Sequence, residues 1–258
     1  NIFETYYSNQ DWIESNIKIW RYNGVDRFEN LYYGNDGKFR WMVYDLDGGF
    51  GIENVGENIL EQATVRRDYS GREWPYVILR RILSMEEFKI RFANRYADLL
   101  NSVFLPEKII PRIDRFESTI SSEMPRHIAR WRDTLDGWKN PYLQSVDEWM
   151  KNVQDLREFA INRPQYAFGH VQEQFGLEGT YKITFSGLDT NKGSIKISTL
   201  TINSPEWSGT YFKGIPVTVE ALPYSDHKFL RWEGSNESTD KVLSIDARED
   251  IVLKPIFE

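Results

Sequence analysis

Two groups of acidic residues near the start of the chain have the types and spacing that a divalent cation requires. Asp11 is followed five residues later by Asn16, and Asp45 and Asp47 stand directly before the glycine-rich stretch GGFG, residues 48–51. Mg²⁺ prefers one or two carboxylates, with phosphate oxygens and water completing its shell. One Asp, one Asn and one further Asp are therefore a sufficient protein contribution to a metal site that also holds phosphate groups.

A β-hairpin is expected to join the two acidic groups. Its strands are predicted by two alternating apolar sets, Ile17, Ile19 and Tyr22, and then Phe39, Trp41 and Val43. Residues 31–33 and the Gly-Asn-Asp-Gly turn at 34–37 lie between them. Side chains alternate along an extended segment, so Asp45 and Asp47 point to the same side and either could face the metal. Asp45 is favoured because it ends the hydrophobic strand, with Asp47 as a second ligand or a supporting group.

Protein kinases use this arrangement for phosphoryl transfer, with an Asp, an Asn five residues on and, after a hairpin, an Asp before Phe-Gly. The stretch 11–16 followed by WMVYDLDGGFG (41–51) resembles the CotH family, atypical protein kinases named after a spore-coat protein. The helical stretch 79–175 is similar to that family's C-terminal lobe, in particular at residues 92–95, 127–131 and 159–164. The resemblance covers about residues 1–175.

The resemblance implies a role for each residue of the motif. Asp11 would be the catalytic aspartate, and Asn16 and Asp45, assisted by Asp47, would hold Mg²⁺ or Mn²⁺. The reaction would transfer the γ-phosphate of ATP to Ser or Thr hydroxyls of a protein substrate, such as a coat or surface protein. The resemblance also implies a bacterial protein that is secreted or displayed at the cell surface.

The position of Asp11 leads to one further expectation. A kinase needs a lobe before its catalytic loop to cover the nucleotide and supply a phosphate-binding Lys. Only ten residues precede Asp11. We therefore expect a piece of a longer parent that has an N-terminal lobe, and we expect this piece to be inactive by itself.

The predicted fold class is α+β, with a domain of residues 1–175 and a second of residues 176–258. The first is expected to be a mostly helical kinase-like lobe with the hairpin at its N-terminal end. Capping boxes predict helix starts at Ser84, with Glu87, and at Ser145, with Glu148. Pro106 is expected to end a helix, and Pro164 to lie in the first turn of the last one.

After Gly176 the pattern changes to short alternating runs between turn residues, which predicts a small β-sandwich. The predicted strands are 180–185, 194–202, 217–221, 229–232, 242–245 and 251–256. The segments WSGTYFKGIPVTVEALP (207–223) and FLRWEG (229–234) resemble bacterial surface modules of immunoglobulin-like fold.

Composition excludes several classes of function. The 258 residues carry a formal net charge of −7 with both signs mixed, whereas a nucleic-acid binder usually has a basic excess. The absence of cysteine excludes disulfides, thiolate metal sites and cysteine nucleophiles. There is no apolar run of about 18 residues, so no transmembrane segment is predicted. The composition does not set the oligomeric state.

The same residues allow other interpretations. An EF-hand loop starting at Asp45 fails, because Phe50 and Gly56 stand where that motif needs Gly and Glu. A glycosidase pair of Asp45 and Asp47 is too closely spaced for carboxyl groups about 5–9 Å apart. The alternative function is a non-catalytic surface adhesin or carbohydrate binder, built on a kinase-like scaffold.

Three further groups of residues lead to expectations about function. Trp207 and Trp232 would form a sugar-binding surface in the carbohydrate-binding alternative, or else belong to the sandwich core. Segment 52–73, with Arg66 and Arg67, is expected to be mobile and to shape a substrate groove, as activation segments do. The three histidines, His127, His170 and His227, are expected to be surface or structural residues.

Overall fold

A computed structural model describes residues 1–13, 15–24, 34–52, 54–65, 74–133 and 142–258. The chain divides into two compact units, Asn1–Ser84 and Met85–Glu258. The expectations for residues 31–33 and for Arg66 and Arg67 lie outside the described residues. The predicted division into domains 1–175 and 176–258 stays a prediction.

The first unit contains the predicted hairpin and the segments around it. Its elements are α1 (Ile2–Tyr6), β1 (Lys18–Trp20), β2 (Arg40–Met42), α2 (Ile59–Gln62) and α3 (Trp74–Leu83). Strands β1 and β2 pair antiparallel with Ile19 opposite Trp41, which confirms the hairpin. Helix α1 packs against α2, and Tyr6 of α1 and Leu60 of α2 are both buried.

The helices of the second unit are α4 (Glu86–Leu100), α5 (Pro106–Ile120), α6 (Met124–Trp131) and α7 (Val146–Phe175). The predicted apolar stripe of α4 is buried at Phe92, Tyr96, Leu99 and Leu100. The Ser145 side chain accepts a hydrogen bond from the Glu148 N–H (3.1 Å), so this predicted cap is confirmed. No described helix has both the length and the apolar character needed to cross a membrane.

Three helix predictions were wrong. Met85, not Ser84, precedes α4, because the Ser84 N–H bonds to the Arg80 carbonyl and continues the last turn of α3. Pro106 begins α5, where its missing N–H costs nothing. Pro164 lies inside the 30-residue helix α7, not at the start of a new helix.

The C-terminal strands form two four-stranded sheets. The strands are β3 (Thr180–Phe185), β4 (Gly193–Ile197), β5 (Leu200–Ile202), β6 (Trp207–Phe212), β7 (Val217–Pro223), β8 (Phe229–Gly234), β9 (Val242–Ile245) and β10 (Ile251–Phe257). One sheet has the order β6-β3-β10-β8 and the other β5-β4-β7-β9. All neighbouring strands pair antiparallel except β3 and β10, which are parallel.

The β-sandwich prediction is consistent with this packing. The buried Tyr181 hydroxyl on β3 donates to the Ile245 carbonyl on β9 (3.4 Å), so the two sheets face each other. Burial alternates along β7, as expected for a strand with one face in a core. The prediction of one strand over 194–202 was wrong, because a turn with Ser198 at φ 49° separates β4 from β5. Strand β6 was not predicted.

Helix α4 is attached to the sandwich by polar side chains. The Asp98 carboxylate, fully buried, accepts hydrogen bonds from the Tyr211 hydroxyl (2.9 Å), the Thr199 N–H (2.9 Å) and the Thr199 hydroxyl (2.6 Å). The Asn101 side chain donates to the Thr210 carbonyl and accepts from the Thr210 N–H, both at 2.8 Å. This face of α4 is therefore bonded to β6 and to the turn after β4.

Candidate functional site

Asp11 is positioned by a tight turn that follows α1. The backbone turns back at Ser8 (φ 59°), and the Asn9 N–H donates to the Glu4 carbonyl (3.0 Å). The N–H groups of Ser15 and Asn16 both donate to the Asp11 carbonyl at 3.3 Å. Ile13 has φ 74°, a conformation that is a genuine outlier for a β-branched residue. Strain of this kind persists only where surrounding contacts impose it.

The loop that carries Asp45 and Asp47 is also held in an unusual conformation. Asp45 and Phe50 have φ of 58° and 57°, so two non-glycine residues occupy the left-handed region within six positions. The Phe50 N–H donates to the Tyr7 carbonyl (2.6 Å), and the two rings stack with centroids 4.5 Å apart. The loop is thereby fixed to the turn that carries Asp11.

Gly49 allows this close approach between the loop and the turn. A Cβ at this position would lie 2.9 Å from the carbonyl oxygens of both Leu46 and Tyr7. Contacts below 3.0 Å with backbone atoms are not tolerated without a shift of the chain, so a side chain at Gly49 would push the loop away from the turn.

A buried polar pair, Glu4 and Asn9, connects α1 to the loop. The Asn9 amide donates to Glu4 Oε2 (2.8 Å) and to the Asp45 carbonyl (2.9 Å). Glu4 Oε1 accepts from the Tyr44 N–H (3.4 Å). Burial raises the pKa of the Glu4 carboxyl, and the hydrogen bonds from Asn9 and from the Tyr44 N–H act in the opposite direction. The pair fixes where the backbone of the loop begins.

The carboxylates of Asp11, Asp45 and Asp47 lie in one electrostatic environment. The pKa of Asp45 is raised, first by a side-chain hydrogen bond with Asp47, then by the charge of Asp47, by desolvation and by the charge of Asp11. Lys18 opposes the shift. All three aspartates are exposed, so a ligand from solvent can reach them. Like charges held together in this way disfavour ionisation unless a cation is present.

The fourth predicted residue, Asn16, is placed differently. It is half-buried, and its backbone N–H reaches the Asp11 carbonyl. Among the described residues its side chain forms no hydrogen bond with Asp11, Asp45 or Asp47. Within those same residues, no group of three or more His, Asp or Glu side chains is arranged to hold a metal ion. The ligand roles of Asn16, Asp45 and Asp47 and the catalytic role of Asp11 stay predictions.

The site nevertheless has a feature that fits a cation. A Cβ on Gly48 would lie 3.2 Å from Asp11 Oδ2 and 3.2 Å from Asn9 Oδ1, so the absence of a side chain leaves a small space between two oxygens. Asn9 Oδ1 is buried and has no hydrogen-bond partner among the described residues. An acidic cluster beside an unpaired buried oxygen is chemically suited to Mg²⁺ or Mn²⁺.

Two residues of the site were missed at the level of sequence, Asn9 and Glu4. Asn9 precedes Asp11 by two positions, and this proximity is what could have indicated a place in the site. The importance of Glu4 depends on its contact with the Tyr44 N–H, forty positions away. No spacing rule connects residues so far apart in the chain.

Four of the aromatic and histidine candidates elsewhere have contacts within the fold, whereas His127 is exposed on α6. Trp232 is fully buried, and its indole N–H donates to the Asp240 carbonyl (3.1 Å), so it cannot be a sugar platform. Trp207 stacks on Phe185 with centroids 5.4 Å apart. His170 is buried in α7, and His227 contacts the Glu258 carbonyl at 3.0 Å.

Comparison with known proteins identifies the class. A family model described as CotH kinase protein matches residues 1–167, which includes the hairpin, the acidic loop and most of the helices. The acidic loop and the hairpin therefore lie within a kinase-like domain. The chain belongs to the CotH kinase family, as the sequence resemblance predicted. A search of curated proteins and a search of solved structures each gave no significant match.

Proposed function

We propose that this chain carries the catalytic residues of a protein kinase that transfers the γ-phosphate of ATP to Ser or Thr hydroxyls. The observation that supports this most directly is the position of Asp11, whose Oδ2 faces the Asp45–Asp47 loop across Gly48. A kinase requires this neighbourhood, because the residue that orients the hydroxyl must lie beside the residues that hold the phosphate-bound metal.

In this proposal Asp11 orients the acceptor hydroxyl and accepts its proton as the oxygen forms a bond to the γ-phosphorus. The bond between that phosphorus and the bridging oxygen of ADP breaks, and ADP leaves. Proton acceptance by a positioned carboxylate contributes about 10²–10⁴-fold to a rate. Asp11 is exposed, which is compatible with a large protein substrate.

Asp45 and Asp47, with Asn16, are proposed to hold Mg²⁺ or Mn²⁺. The cation would neutralise charge on the phosphates of ATP, which is the main source of catalysis in phosphoryl transfer. The raised pKa of Asp45 supports this assignment, because it reports a repulsion that a divalent cation would relieve. Asn9 and Glu4 keep the loop in place while the site is loaded.

The partner in this proposal is a protein with accessible Ser or Thr, such as a spore-coat or surface protein, and the location is secreted or at the cell surface. These statements rest on membership of the CotH kinase family.

Phosphate transfer from γ-labelled ATP to a Ser/Thr-rich protein tests the proposal. The assay uses the longest natural form of the protein beside the 258-residue chain, with Mg²⁺ or Mn²⁺. Asp11→Ala and Asp45→Ala are each expected to lower the rate by at least about 10²-fold. Asp226→Ala, at an exposed turn of the β-sandwich, serves as the control. Equal rates in Asp11→Ala and the wild type would overturn the proposal.

A further inference from the structure

We propose that Asn9 is a direct ligand of the divalent cation in this site, through its side-chain oxygen and beside Asp11. This inference rests on the proposed function, because it uses the same acidic loop. It adds a neutral ligand at a position that the kinase motif does not include, two residues before the predicted catalytic aspartate.

The orientation of the Asn9 amide is fixed by its partners. Its nitrogen lies 2.8 Å from Glu4 Oε2 and 2.9 Å from the Asp45 carbonyl oxygen. A backbone carbonyl can only accept a hydrogen bond, so the group facing it must be the donating NH₂. The two hydrogens of the amide are thereby occupied, and Oδ1 must point in the other direction.

That oxygen is buried and lacks a partner among the described residues. Asn9 is fully buried, and its Oδ1 accepts no hydrogen bond there. A buried polar atom without a hydrogen-bond partner is destabilising, so such atoms in native proteins call for an explanation. The same turn also carries the unusual φ of Ser8 and Ile13, so the chain holds this arrangement against an intrinsic cost.

The environment of Oδ1 selects the kind of ligand. It lies 3.2 Å from the position of a Cβ on Gly48, and Asp11 Oδ2 lies at the same distance from that position. Two acceptor oxygens cannot satisfy each other, so the group between them must be a donor or a cation. The nearby charges of Asp45 and Asp47 favour a cation, and amide and carboxylate oxygens are typical ligands of hard divalent metals.

Mn²⁺ binding by the 258-residue chain tests the inference without any measurement of activity. Free Mn²⁺ is followed by electron paramagnetic resonance, and folding is checked by thermal unfolding. Asn9→Ala is expected to weaken Mn²⁺ binding about 10–100-fold. Gly48→Ala is also expected to weaken Mn²⁺ binding, because its methyl group fills the space between Asn9 Oδ1 and Asp11 Oδ2. This variant keeps both hydrogen bonds of the Asn9 amide.

Asn94→Ala is a matched control. Asn94 is also buried, its amide donates to the Pro216 carbonyl (2.8 Å), and its Oδ1 likewise lacks a partner in the described part of the chain. It lies on α4 with no place in the acidic site, so its loss should leave Mn²⁺ affinity unchanged. If Asn9→Ala does not fold, Gly48→Ala decides the question.

The possible results separate this inference from the proposed function. Unchanged Mn²⁺ affinity in folded Asn9→Ala and Gly48→Ala, or no Mn²⁺ binding by the wild type, would overturn the inference. In both cases the phosphotransfer assay still decides the proposed function. Loss of Mn²⁺ binding in both variants but not in Asn94→Ala would support the ligand role, even if no phosphate transfer were found.

Discussion

The side chain of Asn9 donates to the backbone carbonyl of Asp45 at 2.9 Å, although the two residues are 36 positions apart. This bond fixes the entry of the acidic loop at the residue whose φ is 58°. The left-handed region is uncommon for a residue other than glycine, although aspartate enters it more readily than most. The position of the predicted metal ligands thus depends on a residue outside their own loop.

The Asp45–Asp47 pair should give a measurable pH effect. Asp47→Ala removes the largest cause of the raised pKa of Asp45, so that pKa should return toward the ordinary range of an aspartate. Carbon-13 NMR titration of the Asp45 carboxyl group measures this directly. An unchanged pKa in the variant would show that Asp47 is not the cause.

The same pair links stability to pH. A raised pKa means that the folded protein binds this proton more tightly than the unfolded chain does. The proton's contribution to stability is complete below the ordinary pKa of aspartate and is lost as the pH rises through the raised value. The stability of the wild type relative to Asp47→Ala should therefore fall between acid and neutral pH in urea unfolding. A constant difference would contradict the linkage.

Glycine substitutions should have opposite effects at two positions. Gly49→Ala places a methyl group 2.9 Å from two carbonyl oxygens, and such overpacking typically costs about 1–3 kcal/mol in the free energy of unfolding. Gly169→Ala, inside α7, meets no atom within 4 Å and should stabilise by about 1 kcal/mol, because alanine favours the helix. Thermal unfolding of the two variants compares them. A shift of the same sign in both would count against the close approach at Gly49.

The buried Asp98 should be important for stability. Asp98→Ala leaves the Tyr211 hydroxyl and both donors of Thr199 without their acceptor, which we expect to cost about 2–4 kcal/mol in urea unfolding. Burial and the neighbouring carboxylate raise the pKa of Tyr211, so its hydroxyl stays a donor at any ordinary pH. Glu178→Ala, which breaks an exposed ion pair with Arg248, is the control and should change little. Equal effects would argue against the network.

The two serines predicted as helix caps should behave differently. Ser145→Ala removes the acceptor for the Glu148 N–H and should cost about 1 kcal/mol. The Ser84 hydroxyl donates to the Arg81 carbonyl and caps no helix start, so Ser84→Ala should cost clearly less. Guanidinium unfolding of the pair tests this. A larger loss at Ser84 would restore the predicted cap there.

The caps also show how far local sequence could be interpreted. At Ser145 the chain enters the helix from an extended conformation (φ −150°), so the local pattern decided the outcome. At Ser84 the last turn of the preceding helix α3 reaches the same residue, whose N–H bonds to the Arg80 carbonyl. A pattern of four residues carries no information on where the previous helix stops.

Strands were predicted where apolar and polar residues alternate in the sequence. A strand was missed where contacts with distant parts of the chain determine the backbone conformation. Strand β6 contains Gly209, whose missing side chain makes room for the Trp207 ring and for Asn101, the residue that follows α4. The Thr210 N–H of this strand donates to the Asn101 side chain, which lies more than a hundred residues earlier in the chain. Asp11, Asp45 and Asp47 could be selected as candidates from the sequence because they lie in short motifs. Asn9 could not, because its role depends on a contact across 36 positions.

The parallel pairing of β3 with β10 has a mechanical consequence. These are the first and last strands of the sandwich, and Ile183, Thr184 and Phe185 lie opposite Ile251, Val252 and Leu253. In a parallel pair, the start of one strand and the end of the other lie at opposite ends of the pair along the strand direction. Tension applied between Gly179 and Glu258 would therefore act in shear on the backbone hydrogen bonds between β3 and β10. In this geometry all these hydrogen bonds carry the force together, and they do not break one after another.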